Sequence, residues 1–437
     1  MAIINFNSIS GVSTISVASS ITVGNNVLIS GDRVTATTFS GNVNSTSGVT
    51  TVTTLNATSI VGVTTAGITT VYTTTINGGP ISGARNMIIN GSQVINQRGF
   101  TGASGTTTSN SYITDRFKMN FSHDGAVSAG QTSMNSTVGG SAYADGFQNA
   151  LFFKVTTADA SLSASQYQLM QQRIEGYNVQ GIKKGTANAQ PITLSFWVRS
   201  TTIGTYIVDL GDDDNTREVS QAYTINAANT WEKKILTFPA DTTGVFNNDN
   251  DASLDVIWWL AAGSDYTSGT LQTTWGARVN ANRAVGQTNL LATVGNDFFL
   301  TGIQLEVGPQ ATEFERRSYG QELALCQRYY WQINGSSGNQ TAYNSNWYNT
   351  KCRIGLTVPT PMRNSPTISL TGSTAGAFFT TNDDSTYINF AYVGAYGEIN
   401  STGHTSVSLS LTPSAAGPGG GLLYIQTSRV LSVSAEL

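Results

Sequence analysis

Apolar and polar positions alternate from Phe298 to Val307 with the period of a β-strand. Strict alternation puts Phe299, Thr301, Ile303, Leu305 and Val307 on one face, and Phe298, Leu300, Gln304 and Glu306 on the other. Gly308-Pro309 stops the run, because proline has no ladder donor. Beyond it, Tyr319, Leu323, Cys326 and Tyr330 recur at helical spacing, which predicts a short helix with these residues as its apolar stripe. A β domain therefore closes near residue 317, and a helical joint leads onward.

The same period-two pattern runs through residues 112 to 317, in short segments separated by turn signals, and predicts a β-sandwich. Ile192, Leu194, Phe196 and Val198 share a face, with Trp197 and Arg199 opposite. Tyr206, Val208 and Leu210 lead through Gly211-Asp212-Asp213-Asp214-Asn215 to a return strand with Val219, Ala222 and Tyr223, which is a hairpin. Val256-Ile257-Trp258-Trp259-Leu260 reads as a strand buried on both faces. After the helix, strands over 354–358, 367–370, 387–392, 407–411 and 422–425, with a closing strand over 430–437, predict a second β domain.

Residues 1–82 differ in kind. Asp32 and Arg33 are their only charges, and a glycine-led unit recurs as Gly11-Val12-Ser13-Thr14-Ile15, Gly48-Val49-Thr50-Thr51-Val52 and Gly67-Ile68-Thr69-Thr70-Val71, with a weaker copy at Gly62-Val63-Thr64-Thr65-Ala66. Apolar and hydroxyl side chains alternate within each unit, so short strands with glycine bends are expected. The segment has too few Val, Ile and Leu side chains to offset the cost of ordering its backbone alone. Several copies wound together would bury them along a common axis. The expected division is thus a shaft over 1–82, a sandwich over 83–317, and a linking helix with a distal β domain over 318–437.

Composition narrows the function. Charged residues make up 11% of the 437 residues and the net charge is −4; no long basic stripe is present, and Lys183-Lys184 and Lys233-Lys234 are isolated pairs. This disfavours nucleic-acid binding and adhesion to anionic membranes. No apolar run is long enough to span a bilayer, and no secretion signal is expected at the N-terminus. Cys326 lies on the helical stripe and reads as a buried free thiol; a bond to Cys352 stays open as the alternative.

Four separated segments carry a family resemblance. Asn86 to Phe100 (NMIINGSQVINQRGF) followed by Ile113 to Met119 (ITDRFKM), Leu194 to Ser200 (LSFWVRS), and Thr301 to Trp331 (TGIQLEVGPQATEFERRSYGQELALCQRYYW) resemble phage and prophage tail-fibre proteins in the same order. The resemblance covers residues 86–332. It implies a homotrimer held by its N-terminus to a tail, baseplate or other virion protein, assembled in the host cytoplasm, with a middle domain like carbohydrate-binding jelly rolls. The fold class expected is all-β, with an intertwined trimeric shaft, a jelly-roll-like sandwich, a short helix and a distal β-sandwich. The partner implied is host-surface polysaccharide. A purely structural appendage and a glycan depolymerase are the alternatives.

Candidate chemistry is sparse. Sugars stack their CH faces on aromatic rings while amides bind their hydroxyls, so Tyr343, Asn346, Trp347, Tyr348 and Tyr396 in the distal domain are the glycan-binding candidates. Asp249, Asp251 and Asp255 could hold a structural Ca²⁺, which wants six to eight oxygens; no other cofactor is expected. Asp212, Asp213 and Asp214 read as a solvated hairpin tip. His123 and His404 are the only histidines, and no Gly-x-Ser-x-Gly turn or metal-ligand spacing accompanies them, so no enzymatic activity is expected.

Overall fold

The computed structural model describes residues 85–101, 108–334, 345–348, 351–371, 378–381, 387–400, 403–413, 422–425 and 430–437, together with short strands before residue 81. Side chains are described for 85–101, 108–333, 358–369 and 430–437. The chain divides into two compact units, Met1–Tyr72 and Thr73–Leu437. In the first, β1 (Thr35–Phe39) pairs in parallel with β2 (Thr51–Leu55), Thr35 opposite Thr51. The repeat units of the expected shaft lie almost wholly outside the described residues.

The second unit opens with the hairpin of β3 (Thr75–Ile76) and β4 (Gly79–Pro80). Two antiparallel sheets come next, so the chain is all-β with few helices. One sheet has seven strands: β5 (Ser111–Thr114), β6 (Phe117–Ser122), β9 (Tyr167–Glu175), β11 (Gly204–Asp212), β12 (Arg217–Ile225), β14 (Ala252–Ala262) and β15 (Gly276–Ala277), in the spatial order β15-β12-β11-β14-β9-β6-β5. The other is β13-β10-β16-β8-β7, built from β7 (Ala126–Ser133), β8 (Asn149–Thr157), β10 (Ile192–Ser200), β13 (Glu232–Phe238) and β16 (Asp297–Val307). Short helices α1 (Gly140–Ala144), α2 (Gly176–Val179) and α3 (Ser264–Thr267) sit in the connections.

The inward residues of both sheets make one core. Phe196, Tyr206, Tyr223, Trp258 and Phe298 are buried in it, with Phe196 edge-on to Trp258 at 6.0 Å between ring centroids. Each such ring contributes about 2–3 kcal/mol by leaving water. The hairpin over 204–225 and the doubly buried strand at Val256–Leu260 stand as the pattern predicts. Trp197, by contrast, is half-buried on the outer face of its sheet.

Strict alternation fails in β16. Gly302 adopts φ +59, and a Cβ there would meet Phe147 at 2.6 Å. The irregularity shifts the register, so Phe298, Leu300, Ile303 and Leu305 all point into the core while Gln304 and Glu306 join the outer side. The sequence pattern had split these apolar residues between the faces.

The leading segment of the sandwich is latched by side chains acting as strand partners. Gln172 accepts from the Ile89 amide and donates to its carbonyl, while Asn86 accepts from the amides of Ile88 and Leu305. Gly91 lies against β16, where a Cβ would meet the Ile303 carbonyl oxygen at 2.1 Å.

After residue 317, α4 (Tyr319–Gln327) starts in a capping box made by Ser318 and Gln321. Its buried side is Glu322 and Cys326, continued by Tyr329, against Ile89 and Ile95. Tyr319 is 64% exposed, so the apolar stripe is displaced from the expected one. A charged residue takes the inward place because Glu322 accepts from the Asn90 amide and from Arg317.

Next, β17 (Tyr330–Asn334) and β20 (Thr367–Thr371) flank β25 (Val430–Ser434) in a three-stranded sheet. A six-stranded sheet contains β18 (Ser345–Tyr348), β19 (Lys351–Met362), β21 (Phe378–Thr381), β22 (Tyr387–Asn400), β23 (Gly403–Pro413) and β24 (Leu422–Ile425). The boundary expected at 317 does not release the downstream segment from the sandwich. Arg328 grips Glu175 at 2.7–2.8 Å, and Glu436 pairs with Arg98 and Arg116.

Candidate functional site

The outer face of the seven-stranded sheet carries polar groups in cross-strand rows. Lys118, Gln171, Ile257, Asp209 and Ser220 stand opposite one another on successive strands from β6 to β12. On one side runs Asn120-Leu169-Trp259, and on the other Arg173-Asp255-Gly211-Glu218. Antiparallel pairing alone creates this array, since the residues come from five separate strands.

Toward β11, β12 and β14 the face is closed by ion pairs. Arg173 binds Asp213 at 2.8 Å and Asp255 at 3.0 Å; Arg278 binds Asp213 at 3.0 Å; Arg283 binds Asp209 at 2.8 Å and Glu218 at 3.2 Å. Burial, with Asp209 beside it, pushes Glu218 up to about 7, and burial with Asp213 beside it does the same for Asp255. Asp209 is raised too, first by burial, against the opposing pull of Arg283. These carboxylates are held inside the protein by arginines and are not presented to solvent.

Over β6 and β9 the face is more open. Tyr167 and Tyr266 are half-buried, 5.6 Å apart, and both rings meet Trp259, which Arg283 covers at 5.2 Å. Tyr167 donates to the Asn120 side-chain oxygen at 3.5 Å. Lys118 and Asn120 are half-buried beside them. At the far edge Tyr112, whose ring centroid lies 5.7 Å from the Lys118 ammonium, donates its hydroxyl hydrogen to the Leu437 carbonyl. This strip of the face, the trough, has aromatic rings at Tyr167–Tyr266 and at Tyr112, with half-buried Lys118, Asn120 and Arg173 and buried Gln171 between them.

The outer face of the five-stranded sheet is more fully occupied. The return segment 309–316 crosses β16, with Thr312 and Glu315 amides donating to Glu306 and Gln304. Phe147 and Trp231 pack with α1 over the same sheet. The polar ends of Trp197 and Arg199 are already bonded to Asp145, Asn229 and Asp297.

Of the residues expected to bind glycan, Asn346, Trp347 and Tyr348 lie on β18, in register with Arg353, Cys352 and Lys351. Tyr396 lies on β22, opposite Ser408 of β23, and Ser408 is opposite Gly355 of β19. Trp347 and Tyr396 therefore occupy different cross-strand rows. Tyr343 and the side chains of the other four fall outside the described part.

The three aspartates considered for Ca²⁺ do not converge. Asp255 faces Arg173, Asp251 pairs with Arg363 at 3.3 Å, and Asp249 accepts from the Asp251 amide. Among the described residues no group of three or more His, Cys, Asp or Glu side chains is arranged to hold a metal. The hairpin tip is not solvated either: Asp212 is fully buried on Lys184, Asp213 bridges two arginines, and Asp214 binds Asn247. Cys326 is a free buried thiol whose pKa burial raises. His123 stacks on Phe121 and bonds Gln168, which is a structural role.

Sequence reasoning passed over the trough. Its signal was present: Lys118 and Asn120 alternate with Phe117, Met119 and Phe121, and Gln171 and Arg173 alternate along β9. What was missing was the pairing of β6 with β9, strands that are distant in sequence.

No family model and no curated protein matches the chain. Among solved structures, it is similar to the enzymatically active domain of bacteriophage CBA120 tailspike protein 4, at 13% identity and a TM-score of 0.27, over 51% of this chain and 21% of that one. TmCBM61 in complex with β-1,4-galactotriose is similar at 12% identity and a TM-score of 0.25, over 51% of this chain and 99% of that one. The family 11 carbohydrate-binding module from Clostridium thermocellum, bound to a β-1,3-1,4-mixed-linked tetrasaccharide, is similar at 10% identity and a TM-score of 0.24, over 47% of this chain and 96% of that one.

Proposed function

We propose that the chain is a subunit of a homotrimeric phage tail fibre that binds host-surface glycan without cleaving it. The observation that carries the binding role is the trough over β6 and β9. It sets half-buried tyrosine rings beside side chains able to bond sugar hydroxyls, on a rigid sheet. The tail-fibre part rests on the sequence resemblance over residues 86–332. Binding without catalysis is favoured because the carboxylates of this face are engaged by arginines and shielded from a substrate. Glycan hydrolysis needs two carboxylates that reach the scissile bond.

Weak sites repeated on one stalk would act by avidity. The binding test uses the full chain against host-surface polysaccharide, with Tyr167→Ala and Gln171→Ala as variants. Each is expected to weaken binding by about tenfold. Full binding by the double variant would remove the trough from the mechanism. A monomeric mass in analytical ultracentrifugation would remove the trimer, and a fall in polysaccharide viscosity on incubation would replace binding alone with depolymerisation.

A further inference from the structure

We infer that the glycan recognised by this trough is acidic, bearing carboxylates that meet Lys118 and the free edge of Arg173. This rests on the trough being the glycan site. Polar groups on the face divide sharply by role. Its carboxylates are spent, although the Gln171 side-chain oxygen has no described partner: both Asp213 oxygens hold arginines, and Asp209, Glu218 and Asp255 are buried against Arg283 and Arg173. The Asn120 oxygen accepts from Ser109 and Tyr167.

The donors are not spent. Among the described residues Lys118 has no hydrogen-bonded or ion-paired acceptor within contact distance; its ammonium lies by the Tyr112 ring. Arg173 uses Nε and one Nη on its carboxylates, leaving the other Nη. The Asn120 amide nitrogen likewise makes no described bond. Lys118 feels the Asp255 and Glu436 carboxylates, but burial and the neighbouring Arg173 outweigh them and disfavour its charge, so an anionic ligand would restore what these two oppose. A neutral sugar, with hydroxyls that must donate as well as accept, would find donors here and few acceptors. A uronate or similar acid sugar supplies acceptor oxygens and a carboxylate within reach of Lys118, and stacks its ring on Tyr167 or Tyr112.

The experiment is affinity electrophoresis of the full chain in polygalacturonate, alginate and hyaluronan, each beside its carboxyl-reduced form, with neutral xylan and galactan as a further set. At least one acidic polymer is expected to retard the protein about tenfold more strongly than its reduced form. Lys118→Gln should level the two, and Lys118→Arg should keep the difference. Equal retardation by acidic and reduced forms, retardation by neutral polymers alone, or an unchanged preference in Lys118→Gln would overturn the inference and leave glycan binding standing. Retardation by none of the polymers would overturn both.

Discussion

Arg116 and Glu436, 320 residues apart, form an ion pair buried between the sandwich and the end of the three-stranded sheet. Arg116 is 1% exposed, with its guanidinium carbon 3.5 Å from the Tyr329 ring centroid, while Glu436 also binds Arg98 at 3.0 Å. One carboxylate thereby bridges two guanidinium groups, with Asp115 also 3.9 Å from Arg98, and fastens β25, the central strand of its sheet. Removing it strands the buried Arg116, which costs about 3–5 kcal/mol. Glu436→Ala should lower the urea midpoint accordingly, and amides of 430–434 should exchange faster than those of β14. Unchanged exchange at β25 would show that its apolar contacts suffice.

Lys184 provides a second case. Its ammonium, 1% exposed, touches Asp212 at 2.5 Å, Asp241 at 3.0 Å, and the carbonyls of Thr243 and Gly244 at 3.0 and 2.9 Å. Lys184→Met should cost about 3–5 kcal/mol by stranding Asp212. Adding Asp212→Asn should recover part of that loss, because the two changes share one interaction. Strictly additive losses in equilibrium unfolding would contradict the coupling.

The pH dependence comes from Glu218 and Asp255. In the unfolded chain both titrate near the usual carboxylate value of about 4, whereas burial raises both to about 7 in the fold. Between these values the folded protein binds more protons than the unfolded chain. Stability from these groups is therefore present at low pH and lost as pH rises through about 7. At the acid end, Glu232 sets a limit: against burial, hydrogen bonds from Lys234, Ala227 and Asn226 hold it down to about 2, so its contribution vanishes only in strong acid. The melting temperature should be higher at about pH 5.5 than at about pH 8. Glu218→Gln with Asp255→Asn should flatten that difference, and a slope unaltered by both would assign it elsewhere.

Gly91→Ala tests the docking of the leading segment. The added methyl would collide with the Ile303 carbonyl, which is backbone and cannot swing aside. A loss of about 1–3 kcal/mol is expected, read as a lower denaturant midpoint. Gly295→Ala is the contrasting control for crowding, since nothing lies within 4 Å of its Cβ position, although its φ of +89 adds some strain.

Much of the architecture was readable because period-two burial is local. The alternation of Ile192 to Val198, the hairpin through Asp212 and the apolar run at Trp258 each declare a strand without reference to the rest of the chain. The free thiol at Cys326 was legible for the same reason. Reading failed where one residue altered the period. Gly302 resets the faces of β16, and Glu322 replaces Tyr319 on the inward side of α4 because the distant Asn90 amide and the nearby Arg317 satisfy it.

The sequence by itself determined that this chain is built from strands, where most of them run and which residues each hides. Only the tertiary structure decided which strands became neighbours. That choice placed Lys118 beside Gln171, paired the hairpin aspartates with arginines and Lys184, and sent Asp255 to Arg173. The physical reason is that burial pattern is set by neighbours along one strand. A charged or binding group is defined by what stands across from it, and that partner comes from a distant part of the chain.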